Sequence, residues 1–289
     1  MKSIVQAFNE SSYPFDPLRT FNFDLSDTEN YNLIYGFSNM NGRAKENYIN
    51  IVLEFEEPNF IPLRNLNTCL EHTKKFQKKF TLCPYTAKLY NSLLGKNIVS
   101  NCFFPTNIEY IKKNIGEVGE KDINVVYVGH NVSPRVNEFI KRSHKFDAPG
   151  YLDKMKLLYR TKILICHNLL FYDNNNDFSY LYDELVKIFP EFKSNDRVVP
   201  QLKSRIFEAG FSKCIPLVYY DKFKVVEEYF VPGQDFIYFH DSKELDELIE
   251  KILNNYDDYK HIAENIYKKC MENYTTKCFI DRYIKSAKN

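Results

Sequence analysis

The sequence predicts an α/β protein of two parallel-sheet halves, each doubly wound, closed by a helical tail. Three observations carry this. Short β-branched or aromatic runs alternate with stretches of helical period along the whole chain, which is the pattern of strands joined by helical crossovers. A polar stretch with two glycines and no hydrophobic period, KKNIGEVGEK at 112–121, interrupts the alternation near the middle. The length of 289 residues fits about two domains of ~150 residues each.

The elements follow in order. In the first half, 32–37, 49–55, 79–84 and 101–104 read as strands, while 66–80 and 85–94 have helical character. After the break the pattern sharpens. INVVYV at 123–128 is a largely β-branched strand ending at Gly129, and Pro134 suits the first turn of a helix reaching about His144. A helix at 151–160 carries Leu152, Met155, Leu158 and Tyr159 near helical spacing, and 162–166 is a buried-type strand. Helices are expected at 178–189, stopped by Pro190, and at 201–211. A strand at 215–220, a short helix at 224–229 and a strand at 236–239 come next. The helix 242–254 is strongly amphipathic, with Ser242 as its cap and an apolar stripe of Leu245, Leu248, Ile249, Ile252 and Leu253. Helices at 256–272 and 276–285 close the chain. The expected domains are 1–115, 122–275 and a C-terminal helix within 276–289.

Composition excludes several classes. Lys and Arg number 39 against 38 Asp and Glu, a formal charge of +1, which argues against a large nucleic-acid footprint. A local lysine-rich stretch, Lys74–Lys79, keeps a nucleic-acid acceptor in view. The start of the chain lacks a secretory signal pattern, and no run approaches the ~20 apolar residues of a membrane helix. A cytoplasmic location is expected, with peripheral membrane contact left open. The seven cysteines are widely spaced without a CxxC, and the six histidines show no metal-type spacing, so reduced thiols and no metal site are expected.

In a doubly wound sheet, ligands gather outside the carboxyl ends of the strands. Gly129, His130 and Asn131 follow the strand 123–128 and lead into a helix, where backbone N–H groups can meet an anion; a plain tight turn is the competing reading. Lys203, Arg205 and Glu208 lie on the expected helix 201–211. They would form a surface ion pair on a solvated face, but the apolar strand that follows implies a packed helix. Two cations for a diphosphate and a carboxylate for ribose hydroxyls would then sit together. Glu227 and Glu228, before the Pro232-Gly233 turn, read most simply as exposed helix. In the first half, Glu56 and Glu57 close a strand and could serve as an acceptor-side base, or merely face solvent. The loop 36–43 is a weaker candidate for acceptor contact. His130 and His167 each follow a strand of the second half and are candidates for the same crevice, with satisfied structural histidines as the alternative.

The second half also carries a recognisable run of motifs. Arg205, Phe207, Glu208 and Ala209 are followed by Cys214-Ile215-Pro216, then by EEYF at 227–230, Pro232-Gly233, Asp241 and a Glu-Leu helix. With YVGHNVSPRVNEFI at 127–140, KILICHN at 162–168 and the closing helices at 261–283, this resembles the donor-binding half of group 1 glycosyltransferases of the GT-B fold. The spore-maturation-type branch is the nearest. The resemblance covers about 122–283; before it, only EFEEP at 54–58 and LCPYTAKLYN at 82–91 look similar.

The likeness implies two Rossmann-like domains facing across a cleft. It implies transfer of a sugar from a nucleoside-diphosphate donor to a hydroxyl of a glycan or glycoconjugate, with no cofactor and no obligatory metal. It implies Arg205 at the diphosphate, Glu208 at the ribose and the Gly129 loop beside the phosphates. Many retaining members carry a glutamate eight positions before the one at Glu208; here Pro200 occupies that place. The region around 206–220 also resembles the α-1,3-fucosyltransferase type, without that type's Glu–Lys pair after a tyrosine. A non-catalytic glycan- or nucleotide-binding module is the remaining reading.

Overall fold

The computed structural model describes residues 31–35, 44, 46–55, 57–58, 61, 65–116, 119–129, 134–141, 143–146, 150–171, 179–192 and 198–288. They form two compact units. One contains the described residues up to Phe104 together with Leu169–Leu202 and Phe279 onward; the other contains Pro105–Asn168 and Lys203–Cys278.

The first unit is built on a parallel sheet in the order β1 (Tyr31–Tyr35), β2 (Ile49–Glu54), β3 (Lys78–Thr81) and β4 (Val99–Asn101). Its strands follow one another in chain order. Five consecutive residues of β2 are buried, as expected of a parallel strand covered on both faces. Parallel neighbours need crossovers, and α1 (Leu66–Thr73) and α2 (Pro84–Leu94) supply them. Asn65 caps α1 by accepting the Asn67 N–H, Pro84 opens α2, and Gly95, at φ 62°, ends it.

The expected helical character to Phe80 stops at Thr73, because β3 claims the residues that follow. The last strand sits two residues earlier than expected, at β4. A two-stranded antiparallel ribbon, β8 (Leu169–Phe171) with β9 (Val198–Pro200), also belongs to this unit, and so does α6 (Ser179–Ile188). The chain end returns here: Phe279 packs edge-on against Phe55, Phe80 and Phe103 at 5.7–6.3 Å, and Tyr283 lies 5.4 Å from both Phe80 and Phe103.

The second unit begins with α3 (Ile108–Ile115), which occupies the first part of the expected linker and ends at Gly116 with φ 78°. Its parallel sheet contains β5 (Ile123–Val128), β6 (His144–Phe146), β7 (Thr161–Cys166), β10 (Ile215–Tyr219) and β11 (Ile237–Phe239), in the spatial order β11-β10-β7-β5-β6. The order reverses between β5 and β7, so this is a doubly wound sheet with its switch point there. The helices are α4 (Pro134–Ile140), α5 (Tyr151–Tyr159), α7 (Arg205–Phe211), α8 (Ser242–Asn254), α9 (Tyr256–Asn273) and the short α10 (Thr276–Phe279).

Four expectations need correction. The helix from Pro134 stops at Ile140, and residues 144–146, expected at its end, form edge strand β6. The helix expected from 201 begins only at Arg205. The cap of α8 is Asp241, not Ser242: its backbone is extended and its Oδ1 accepts the Glu244 N–H at 2.9 Å. The expected short helix at 224–229 is a 3₁₀ turn, Val225–Glu228.

Close packing fixes α7 on α9. A Cβ on Gly210 would lie 2.4 Å from the Cys270 Sγ and 3.1 Å from the Ile266 Cγ1. Overpacking costs about 1–3 kcal/mol and exceeds the ~1 kcal/mol that alanine gains in helix propensity. Gly210→Ala is therefore expected to lower the urea midpoint. The loss should shrink in a Cys270→Ala background, where the sulfur is gone; an unchanged loss would place the clash elsewhere.

Candidate functional site

The carboxyl ends of β5 and β7, at the switch point, gather a small cluster of side chains. Tyr127 and Gly129 alternate with Val128 and so share one face of the strand end. Arg205, the first residue of α7, extends its guanidinium over the Tyr127 ring, 4.9 Å from the ring centre. Gly129 makes room for it: a Cβ there would stand 2.2 Å from the Arg205 Nη2 and 3.2 Å from the Tyr127 hydroxyl. The Arg205 Nη1 is buried and has no hydrogen-bond partner. The Tyr127 hydroxyl lies 3.0 Å from the His167 Nε2, and the two rings are stacked with planes 6° apart. His167 directly follows β7 and is buried. Its neighbour Asn168 accepts the Lys203 N–H at 3.1 Å, which pins the approach to α7.

Gly129 and Arg205, read from the sequence as neighbours at one ligand, are thus together. Lys203 precedes the helix instead of lying on it, and its backbone N–H is what the cluster holds. Glu208 stands one turn further along α7. It is fully buried, and its Oε1 accepts from the Lys154 Nζ of α5 at 2.6 Å. That makes Glu208 the inner half of an ion pair joining two helices, rather than a carboxylate open to a ribose, although its Oε2 has no partner. Burial pushes the nearby Tyr151 hydroxyl well above its ordinary value, and the Glu208 charge adds to the effect. His130 and Asn131 lie outside the described residues.

Glu57 requires a correction. It is buried within the first unit, its Oε1 2.8 Å from the Lys79 Nζ and 2.7 Å from the Tyr90 hydroxyl that donates to it. Lys79 is itself fully buried and rests over the Tyr90 ring at 3.9 Å. A carboxylate neutralised in a core does not suit the acceptor-side base expected of it. The sequence showed an acidic strand end but not the lysine opposite, 22 positions away. Glu56 and the loop 36–43 lie outside the described residues. The lysine-rich stretch loses Lys79 to this interior, and Lys74 pairs with Glu71.

Beyond β10, Asp221 accepts the N–H groups of Phe223 and Lys224, both at 2.9 Å. Burial pushes its carboxyl up to about 6, outweighing those two hydrogen bonds, and the charge of Glu227 adds to the rise. The folded state then holds this proton more tightly than the unfolded chain, where the value is ~3.9. Stability should fall as pH rises from ~4 through ~6, by about 2–3 kcal/mol from this group. Asp221→Asn is expected to abolish that slope. Parallel melting-temperature profiles of the two proteins across this window would contradict it.

Among the described residues, no group of three His, Cys, Asp or Glu is placed to hold a metal, and no helix is long and apolar enough to cross a membrane. None of the seven cysteines forms a disulfide.

The sequence reading missed Tyr127 and Lys154. A signal existed for the first: a tyrosine within a buried parallel strand needs a partner for its hydroxyl. Lys154 looked like any surface lysine of an amphipathic helix.

Two units built on parallel sheets, one of them doubly wound, are the α/β architecture of the GT-B fold, which the similar solved structures share. Residues 155–285 match the family model described as glycosyl transferase-like. No curated protein matches the chain.

Among solved structures, an alpha-glucosyltransferase in complex with UDP-glucose and DNA containing an abasic site is similar at TM-score 0.55 and 11% identity, over 90% of this chain and 80% of that one. A variant of S. aureus TarM in complex with fondaparinux, alpha-GlcNAc-glycerol and UDP is similar at TM-score 0.55 and 10% identity, over 91% of this chain and 57% of that one. Anabaena HepE in complex with UDP-glucose is similar at TM-score 0.47 and 11% identity, over 89% of this chain and 78% of that one.

Proposed function

We propose that the protein transfers a sugar from a nucleoside-diphosphate donor to an acceptor hydroxyl on a glycan or glycoconjugate, and that the donor diphosphate meets Arg205 beside Gly129. The observation that carries this is the Arg205 guanidinium held between an aromatic face and a side-chain-free backbone, with a buried N–H group lacking a partner. A planar fork of donors in a low-dielectric setting stabilises the negative charge that grows on a departing diphosphate, the main electrostatic task in such a transfer. The reading is supported by the family match over 155–285 and by the UDP or UDP-sugar complexes of the similar folds.

Arg205 and nearby backbone N–H groups carry this charge in our reading, without a metal. Gly129, His130 and Asn131 are the residues we assign to the phosphates, and Lys203 adds positive charge just before α7. Glu208 contributes through its hold on Lys154, and reaches a ribose only if that pair opens. The acceptor side belongs to the first unit, with Glu56 as the remaining carboxylate for an inverting proton transfer. The run of motifs from 205 to 245 favours the spore-maturation-type branch. We place the protein in a reducing, cytoplasmic setting, as the wide cysteine spacing without a CxxC suggests.

A second reading, a binding module without turnover, is favoured by one observation. Pro200 stands where many retaining members have a glutamate, and it offers only a backbone carbonyl, which takes the Cys83 thiol at 3.0 Å. One experiment separates the two. Incubated with UDP-, GDP- and ADP-sugars, the protein should release the nucleoside diphosphate from one of them. Binding with no release supports the module, and neither binding nor release removes the proposal.

A further inference from the structure

We propose that Tyr127 and His167 form a positioning pair that fixes the Arg205 guanidinium in the orientation the donor diphosphate requires; the inference rests on the reading of Arg205 given above. Arginine carries several rotatable bonds, and holding its head group in one place costs rotamer entropy when a ligand must do it. Here the protein does it in advance. The Tyr127 ring lies under the guanidinium at 4.9 Å, and the Gly129 notch receives Nη2, which leaves the buried Nη1 as the group with no partner of its own.

The platform is itself anchored. Tyr127 is fully buried on β5, and its hydroxyl is bound at 3.0 Å to the ring of His167, a buried residue at the end of the neighbouring strand β7. A phenylalanine and a leucine would fill this interior without burying a hydroxyl and an imidazole, so the polar pair carries a desolvation cost that packing does not require. The bond fixes the position and tilt of the Tyr127 ring beneath the guanidinium. Tyr127 and His167 therefore act through Arg205 and contact no substrate in this scheme.

The test is calorimetric binding of UDP against uridine, GDP against guanosine and ADP against adenosine. The proteins are the wild type, Tyr127→Phe, His167→Leu, His167→Gln and Arg205→Ala, with melting temperatures measured alongside. For the base the wild type prefers, Tyr127→Phe and His167→Leu should lose about five- to tenfold in diphosphate affinity, the cost of immobilising one rotamer-rich side chain that the anchored ring no longer holds, and keep nucleoside affinity. His167→Gln retains an acceptor near the position of Nε2 and should recover most of the loss.

A merely structural role would lower the melting temperature and weaken nucleoside and diphosphate alike, which overturns the proposal. So does unchanged diphosphate binding in Tyr127→Phe and His167→Leu when Arg205→Ala has lost it. A wild type that binds no diphosphate, or an Arg205→Ala protein that binds it normally, overturns the reading of Arg205 and this inference with it. Should Tyr127→Phe prove too unstable to titrate, the His167→Leu and His167→Gln pair decides alone.

Discussion

Arg205→Ala is expected to lower kcat/KM for the sugar-nucleotide donor by roughly a hundredfold or more, while the melting temperature changes little. Removing one preorganised donor from a site where charge develops typically costs 10²–10³ in turnover. The side chain contributes little to the core: it is partly exposed, and its nearest partners are a ring face and a glycine. Steady-state release of nucleoside diphosphate at several donor concentrations measures the loss. Gly129→Ala should act in the same direction, because its Cβ would occupy the place of Nη2 and drive the guanidinium off the Tyr127 ring. A Gly129→Ala protein with wild-type kinetics would show that the guanidinium need not sit in that notch.

The second large effect is on stability, and it concerns Glu57. Glu57→Ala is expected to destabilise the protein by about 3–5 kcal/mol, since it leaves the Lys79 ammonium buried without its counter-charge. The side chains are 0% and 1% exposed, so solvent does not screen the loss. Replacing both partners by apolar residues, Glu57→Leu with Lys79→Met, should restore part of that stability, because the buried charges disappear together while the Tyr90 hydroxyl loses its acceptor. Urea unfolding of the two single variants and the double variant measures the coupling. The double variant also separates structure from chemistry: retained donor turnover fits a carboxylate that supports the core, whereas a stable but inactive double variant would return Glu57 to the role of base.

The parts of the fold legible in the sequence were those with a strong local signal. β5, β7 and β10 were visible as β-branched runs bounded by turns, and α8 by its apolar stripe. The meeting of Gly129 and Arg205 was legible because a glycine at a strand end and an arginine opening a helix each have a physical meaning at the edge of a doubly wound sheet.

What stayed hidden depends on partners distant in sequence. β6, β8 and β9 have three residues each, too short to show a period, and exist because a neighbouring strand pairs with them. The segment Leu169–Leu202 joins the unit of the first half, a return no local pattern announces. The burial of Glu57 hinges on Lys79, and that of Glu208 on Lys154, 54 positions away. In both cases the carboxylate was recognised, but not the lysine that neutralises it. The Asp241 cap was missed for a simpler reason: Asp241 and Ser242 are both good caps, and only the backbone angles choose between them.

A crystal structure of the protein with a bound nucleoside diphosphate shows whether Arg205 receives the donor's diphosphate at the ends of β5 and β7. The expected result is a phosphate oxygen at about 2.7–2.9 Å from the Arg205 guanidinium, with the guanidinium still stacked on Tyr127. A diphosphate seated away from these strand ends, with Arg205 making no contact to it, would overturn the assignment.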